Sequence, residues 1–172
     1  MKSILLYLLL SLTIVFAKSS LSLEKIFKES FGENISIGQK NITLNNSETK
    51  ALEKRAKTKI ESKKVRFYVI KKAKKTEGYG VLLFQRIRTK QAVILYLINK
   101  DVKIKNIEIL AFHEPSEYKP YSTWKKAFLG KGLKDNLKAG YAIPTISGAT
   151  LSARAITNAS RIALAIVEKE TH

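Results

Sequence analysis

Gln91-Ala92-Val93-Ile94-Leu95-Tyr96-Leu97-Ile98-Asn99 decides the fold, because every residue from Ala92 to Ile98 is apolar. A strand with one face in water alternates polar and apolar side chains, whereas an unbroken apolar run predicts a central strand covered on both faces. Working outward, Val65–Ile70, Gly78–Arg88 and Lys103–Phe112 are also rich in β-branched and aromatic residues. They are separated by the polar stretches Lys71–Glu77, Thr89-Lys90 and Lys100-Asp101. Connections this short join antiparallel neighbours, so about four main strands are expected in a meander. Ile104, Ile107 and Ile109, interleaved with Lys103, Lys105 and Glu108, mark the last of them as half-exposed.

The flanks change period. Leu23, Ile26, Phe27 and Phe31 share one face of a short helix that Gly32 ends. Asn34–Leu44 is mixed, with a short strand through Ile35, Ile37 and Ile42 as one reading. Asn46 or Ser47 is placed to cap a second helix running to about Ile60, with Leu52, Ala56 and Ile60 on its apolar stripe. His113–Asp135 holds Pro115, Pro120, Gly130 and Gly132 and predicts loop with a short helix around Trp124–Phe128. A long helix over Leu151–Glu168 closes the chain, its stripe formed by Leu151, Ala155, Ala159, Ile162 and Ile166. Helices packed on an antiparallel sheet give an α+β class.

Ahead of this domain, Lys2 and the almost wholly apolar Ile4–Phe16 precede Val15-Phe16-Ala17, whose small residues suit a signal peptidase. The run falls short of the roughly 18 apolar residues of a spanning helix, so a signal peptide over 1–17 is expected rather than a retained anchor. Residues 18–172 then form a single exported domain, periplasmic or extracytoplasmic, with membrane association left open. The chain has no cysteine. That excludes disulfides and attached c-type haem and disfavours iron–sulfur clusters, so a redox role would need an organic cofactor. Lys plus Arg number 32 against 14 Asp plus Glu, a formal charge of +18, with lysine dense from Lys50 to Lys75. Such charge attracts anionic surfaces or acidic partners. Export and the lack of a recognised motif argue against nucleic acid. Only two histidines are present and neither sits in a metal-spaced cluster, so no metal site is expected.

Ile146-Ser147-Gly148-Ala149-Thr150-Leu151-Ser152 stands where loop enters the last helix. An ordinary helix start is one reading, since Ser and Thr cap helices. The other is an anion site: the first helical turn has unpaired amide donors and the positive dipole end, Gly148 and Ala149 present almost no side chain, and Arg154 lies one turn on.

Ser-Gly-Ala-Thr before an Ala/Ile-rich helix resembles the FMN-binding domain family, which includes the flavinylated G subunit of the Rnf complex and the C subunit of the sodium-pumping NADH:quinone reductase. Gly78-Tyr79-Gly80, His113-Glu114-Pro115 with Tyr118, and Trp124 with Phe128-Leu129-Gly130-Lys131 extend the likeness over about Leu23–Val167. The resemblance implies FMN joined by its phosphate to Thr150, installed from FAD by a flavin transferase that uses a divalent metal. Ser147, Gly148 and Ala149 would shape the pocket, with Leu151, Ser152 and Arg154 beside them. Glu114 and Tyr118 are secondary candidates near the flavin ring. Trp124 is read first as core and second as a flavin contact, and His113 first as packing and second as a donor to the ring. The family's motif opens on aspartate where this chain has Pro144. The resulting expectation is an electron carrier serving redox partner proteins, more than a stand-alone enzyme. A flavin-free basic module docking on anionic envelope surfaces is the alternative.

Overall fold

The computed structural model describes residues 23–171; the expected signal segment therefore lies outside the described residues. Five strands form one antiparallel sheet in meander order: β1 (Ser36–Thr43), β2 (Lys64–Lys72), β3 (Lys75–Arg86), β4 (Gln91–Asn99) and β5 (Ile104–Phe112). Residues 23–31 form helix α1. It is followed in sequence by α2 (Asn46–Ala56), the short α3 (Ser122–Lys125) and α4 (Thr150–Thr171). The α+β expectation holds.

Four local boundaries differ from expectation. The mixed segment is an eight-residue edge strand, β1, in which only Ile42 is buried. An edge strand in water needs few apolar residues, so its pattern is faint. The turn expected over Lys71–Glu77 shrinks to Ala73-Lys74, at φ 46° and 67°, with β2 and β3 extending to either side. Positive φ at both central residues is what a two-residue type I′ hairpin requires, although neither residue is the usual Asn or Gly. The cap of α2 is Asn45, not Asn46 or Ser47. Asn45 Oδ1 accepts from the Glu48 amide at 2.9 Å and Glu48 Oε2 accepts from the Asn45 amide at 2.9 Å, a reciprocal capping box. The helix stops at Ala56 rather than Ile60 because Lys57 turns left-handed at φ 51°.

Both faces of β4 are covered. On one, α2 and α4 bury Phe67, Val81, Leu83, Ile94 and Tyr96, and the Tyr96 hydroxyl donates to the Ile156 carbonyl at 3.0 Å. On the other, Phe27 of α1 packs with Tyr68, Ile70, Leu82, Leu95 and Leu97. Gly78 and Gly80 make room for it. A Cβ on Gly78 would lie 2.5 Å from the Phe31 ring, and one on Gly80 would lie 2.7 Å from the Phe27 ring.

The outer edge of β5 is closed by the segment after α3. Gly130 donates to the Ile104 carbonyl and Ile104 donates to the Lys131 carbonyl, both at 2.8 Å, and Lys125 Nζ reaches the Ile107 carbonyl at 2.8 Å. Helix α4 crosses the sheet from this side towards β1. Its far end is tied by Arg55–Glu168 at 2.7 Å, Lys169–Glu48 at 2.8 Å and Lys40–Glu170 at 2.9 Å.

Candidate functional site

The Ser147–Thr150 motif is a tight turn feeding α4. The Ala149 amide donates to the Ile146 carbonyl at 2.9 Å, and Gly148 sits at φ 73°, the third position of a type II turn. A Cβ on Gly148 would meet nothing within 4 Å, so backbone conformation, not crowding, demands glycine here. Ala149 is 3% exposed and joins the core; its small side chain serves packing under the helix start, while Ser147 and Gly148 face solvent.

The helix start is uncapped by any side chain. Ala153 donates to the Ala149 carbonyl at 3.1 Å, which makes Ala149, a residue with no side-chain oxygen, the cap. Thr150 is the first helical residue, half-buried. Among the described residues, no acceptor bonds the amides of Thr150, Leu151 or Ser152. The reading of Thr150 as an ordinary cap is therefore corrected: its hydroxyl stands one position too late to cap. Ser152 is fully buried and its Oγ has no partner, which is costly unless a ligand or water completes it. Arg154 is exposed one turn beyond Thr150 and pairs with no carboxylate among the described residues. Residues four apart share a helix face.

Trp124 holds the motif from behind. It is 3% exposed, its Nε1–H donates to the Pro144 carbonyl at 2.8 Å, and it meets Phe128 edge-on at 5.0 Å. A buried indole N–H requires an acceptor, and here the acceptor lies at the position where the family's aspartate would stand.

The other candidates gather elsewhere. Glu114 is buried, and its Oε1 accepts from the amides of Arg88, Thr89 and Lys90 at 3.1, 2.6 and 2.8 Å. Those bonds, the Lys90 amide foremost, hold its carboxyl below the usual glutamate range. Tyr118 lies under the Arg88 guanidinium at 4.4 Å. His113 is exposed, with its amide on the Gln91 carbonyl at 3.3 Å. These three surround the β3–β4 turn, and among the described residues no hydrogen bond joins them to the motif. Gly78 and Gly80 serve the α1 contact on the opposite face of the sheet, whereas Tyr79 stacks on Phe67 on the α4 face.

One feature escaped the sequence reading. Among the described residues, the four most exposed large apolar residues are Tyr141 at 64%, Tyr121 at 58% and Leu129 at 50%, ahead of the motif, and Leu151 at 47%, directly after it. A single exposed apolar side chain means little. Their concentration in one stretch is the signal, and composition alone does not reveal exposure.

Residues 89–165 match the family model of the FMN-binding domain, whereas no curated protein and no solved structure matches the chain. The matched span runs from the β3–β4 turn through β4, β5 and the strut of Trp124 into α4, and it contains the whole Ser147–Thr150 motif. Among the described residues no helix is long and apolar enough to cross a membrane. Among the described residues, an uncapped helix start, an orphaned buried hydroxyl and an unpaired arginine together suit a phosphate, and residues 89–165 carry the likeness to the FMN-binding domain.

Proposed function

We propose that this chain is an exported electron carrier holding FMN covalently through Thr150. The observation that carries this reading is the bare start of α4: three amides with no protein acceptor, beside a threonine hydroxyl that is not needed as a cap. Those amides and the helix dipole favour a bound phosphate, and Arg154 adds a charge-assisted donor. Gly148 keeps the approach open. The exposed Leu151, next to Thr150 in the chain, supplies apolar surface suited to a planar ring.

Attachment makes one bond and breaks one. Thr150 Oγ1 bonds to the phosphorus on the flavin side of FAD, the pyrophosphate linkage breaks, AMP leaves, and the hydroxyl loses its proton. A transferase with a divalent metal would supply the base and neutralise the leaving group. Once in place, FMN supplies one- or two-electron chemistry, and the protein orients and shields it. Covalent attachment suits an extracytoplasmic carrier, because a flavin released there would be lost by dilution. The donor would be a membrane redox protein and the acceptor a second protein outside the cytoplasmic membrane.

The test is coexpression with a flavin transferase, followed by a denaturing gel read by flavin fluorescence and peptide mass mapping. Label on the peptide containing Thr150 is expected. Flavin that copurifies but is lost on denaturation would replace covalent attachment with ordinary binding. Persistent absence of label from the wild-type chain, with Pro144→Asp restoring it, would trace the failure to the departure at that position.

A further inference from the structure

The lysines between Lys50 and Lys75 do not form one face. Lys64 and Lys72 stand at opposite ends of nine-residue β2, roughly 26 Å apart at the rise of a strand. The register Ile70↔Gly78↔Asn99 instead brings the β2–β3 turn beside the β4–β5 turn. Lys71, Lys72, Lys74 and Lys75 on the first, with Lys100 and Lys103 on the second, are all exposed. Among the described residues, none of the six takes part in an ion pair, in contrast to Lys40 and Lys169, which are paired. Glu33, Glu77 and Asp101 are the acidic residues nearby in sequence, so this end of the sheet keeps a net positive charge.

We propose that this end of the sheet docks on an anionic lipid bilayer. Both turns are convex tips, and neither carries an exposed large hydrophobic residue. A specific protein interface normally buries aromatic or aliphatic anchors at its centre. No arginine contributes to the six, so planar bidentate recognition is absent and the charges act as points on flexible stems. Such a set senses the potential of a flat charged surface, each lysine strengthening adsorption by about fivefold near the membrane. The surface acts independently of the state of Thr150.

The experiment is cosedimentation of the full chain with vesicles of phosphatidylcholine alone and with added phosphatidylglycerol. Binding is expected to require phosphatidylglycerol and to fade as salt shortens the Debye length from about 10 Å at 0.1 M to 3 Å at 1 M. Replacing Lys71, Lys72, Lys75 and Lys103 together with glutamine should weaken it by roughly six hundredfold. A control with the same charge change, Lys50, Lys54, Lys64 and Lys90 to glutamine, should retain most of it. Four outcomes would overturn the proposal. They are no adsorption to the anionic vesicles at low salt, equal adsorption to phosphatidylcholine, insensitivity to salt, and equal weakening by the two sets of substitutions. The third and fourth would point to apolar insertion and to undirected net charge, respectively.

Discussion

The two ends of α4 are built on opposite plans. At the C-terminal end, Glu168, Lys169 and Glu170 each find a charged partner on α2 or β1. At the N-terminal end the cap is an alanine and, among the described residues, the Ser152 hydroxyl is orphaned and Arg154 pairs with no carboxylate. The pairs at the first end are partly exposed and contribute modestly to stability. The second leaves polar groups unsatisfied that an ordinary fold would satisfy. One end of the helix is finished as structure, and the other keeps polar groups open, as the proposed flavin attachment requires.

The sharpest way to break this division is Thr150→Val, which preserves shape while removing the proposed acceptor oxygen. Covalent flavin should vanish completely while the circular dichroism spectrum is unchanged; labelled Thr150→Val protein would place the acceptor elsewhere. Trp124→Phe keeps a ring in the core but strips the bond to the Pro144 carbonyl. It should lower stability by about 1–3 kcal/mol in urea titration and slow flavin loading, because the open end would lose its strut. Loading at the wild-type rate would show that the motif stands without it.

A milder and pH-dependent effect is expected at Glu114→Gln. The folded protein holds this carboxylate at a depressed pKa, so its stabilisation is complete above the ordinary glutamate range. It disappears as pH falls through the lower folded value. The Tm gap between wild type and variant should therefore be widest near neutrality and close in acid. A gap that stays constant with pH would assign the role to shape rather than charge. Smallest is Arg55→Gln at the finished end, expected to cost no more than about 1 kcal/mol and to leave flavin loading untouched. Lost loading there would erase the contrast between the two ends.

Most of what positions the site was legible because it is written in deep burial. Seven consecutive apolar residues announce β4, and the stripe of Ala155, Ala159, Ile162 and Ile166 announces α4, whereas Leu151, read as part of that stripe, is exposed. The Ser147–Thr150 motif is legible as a family likeness, and its uncapped geometry is not, since Ser and Thr at a helix start ordinarily suggest capping. Weakly buried β1 offered only two isoleucines around Gly38-Gln39-Lys40-Asn41. The Ala73-Lys74 turn lacks the residues its backbone angles usually select. The Asn45–Glu48 pair was a readable capping box, displaced by a single residue from the expected cap. Gly78 and Gly80 explain themselves only through Phe27 and Phe31, distant in sequence, and Glu114 through amides more than twenty residues earlier.

The seating of α1 has a practical corollary. Phe27 and Phe31, plugged against the two strand glycines, fasten the chain's entry point to the back of the sheet, and Leu23 packs there beside Ile35 and Ile37 of the β1 side. Thr150 starts its helix on the other face, towards β5. An affinity handle or surface linker attached ahead of Leu23 would therefore emerge diagonally across the molecule from the flavin motif. Protein immobilised by such a handle should present Thr150 outward, accessible to the transferase that the proposed attachment calls for.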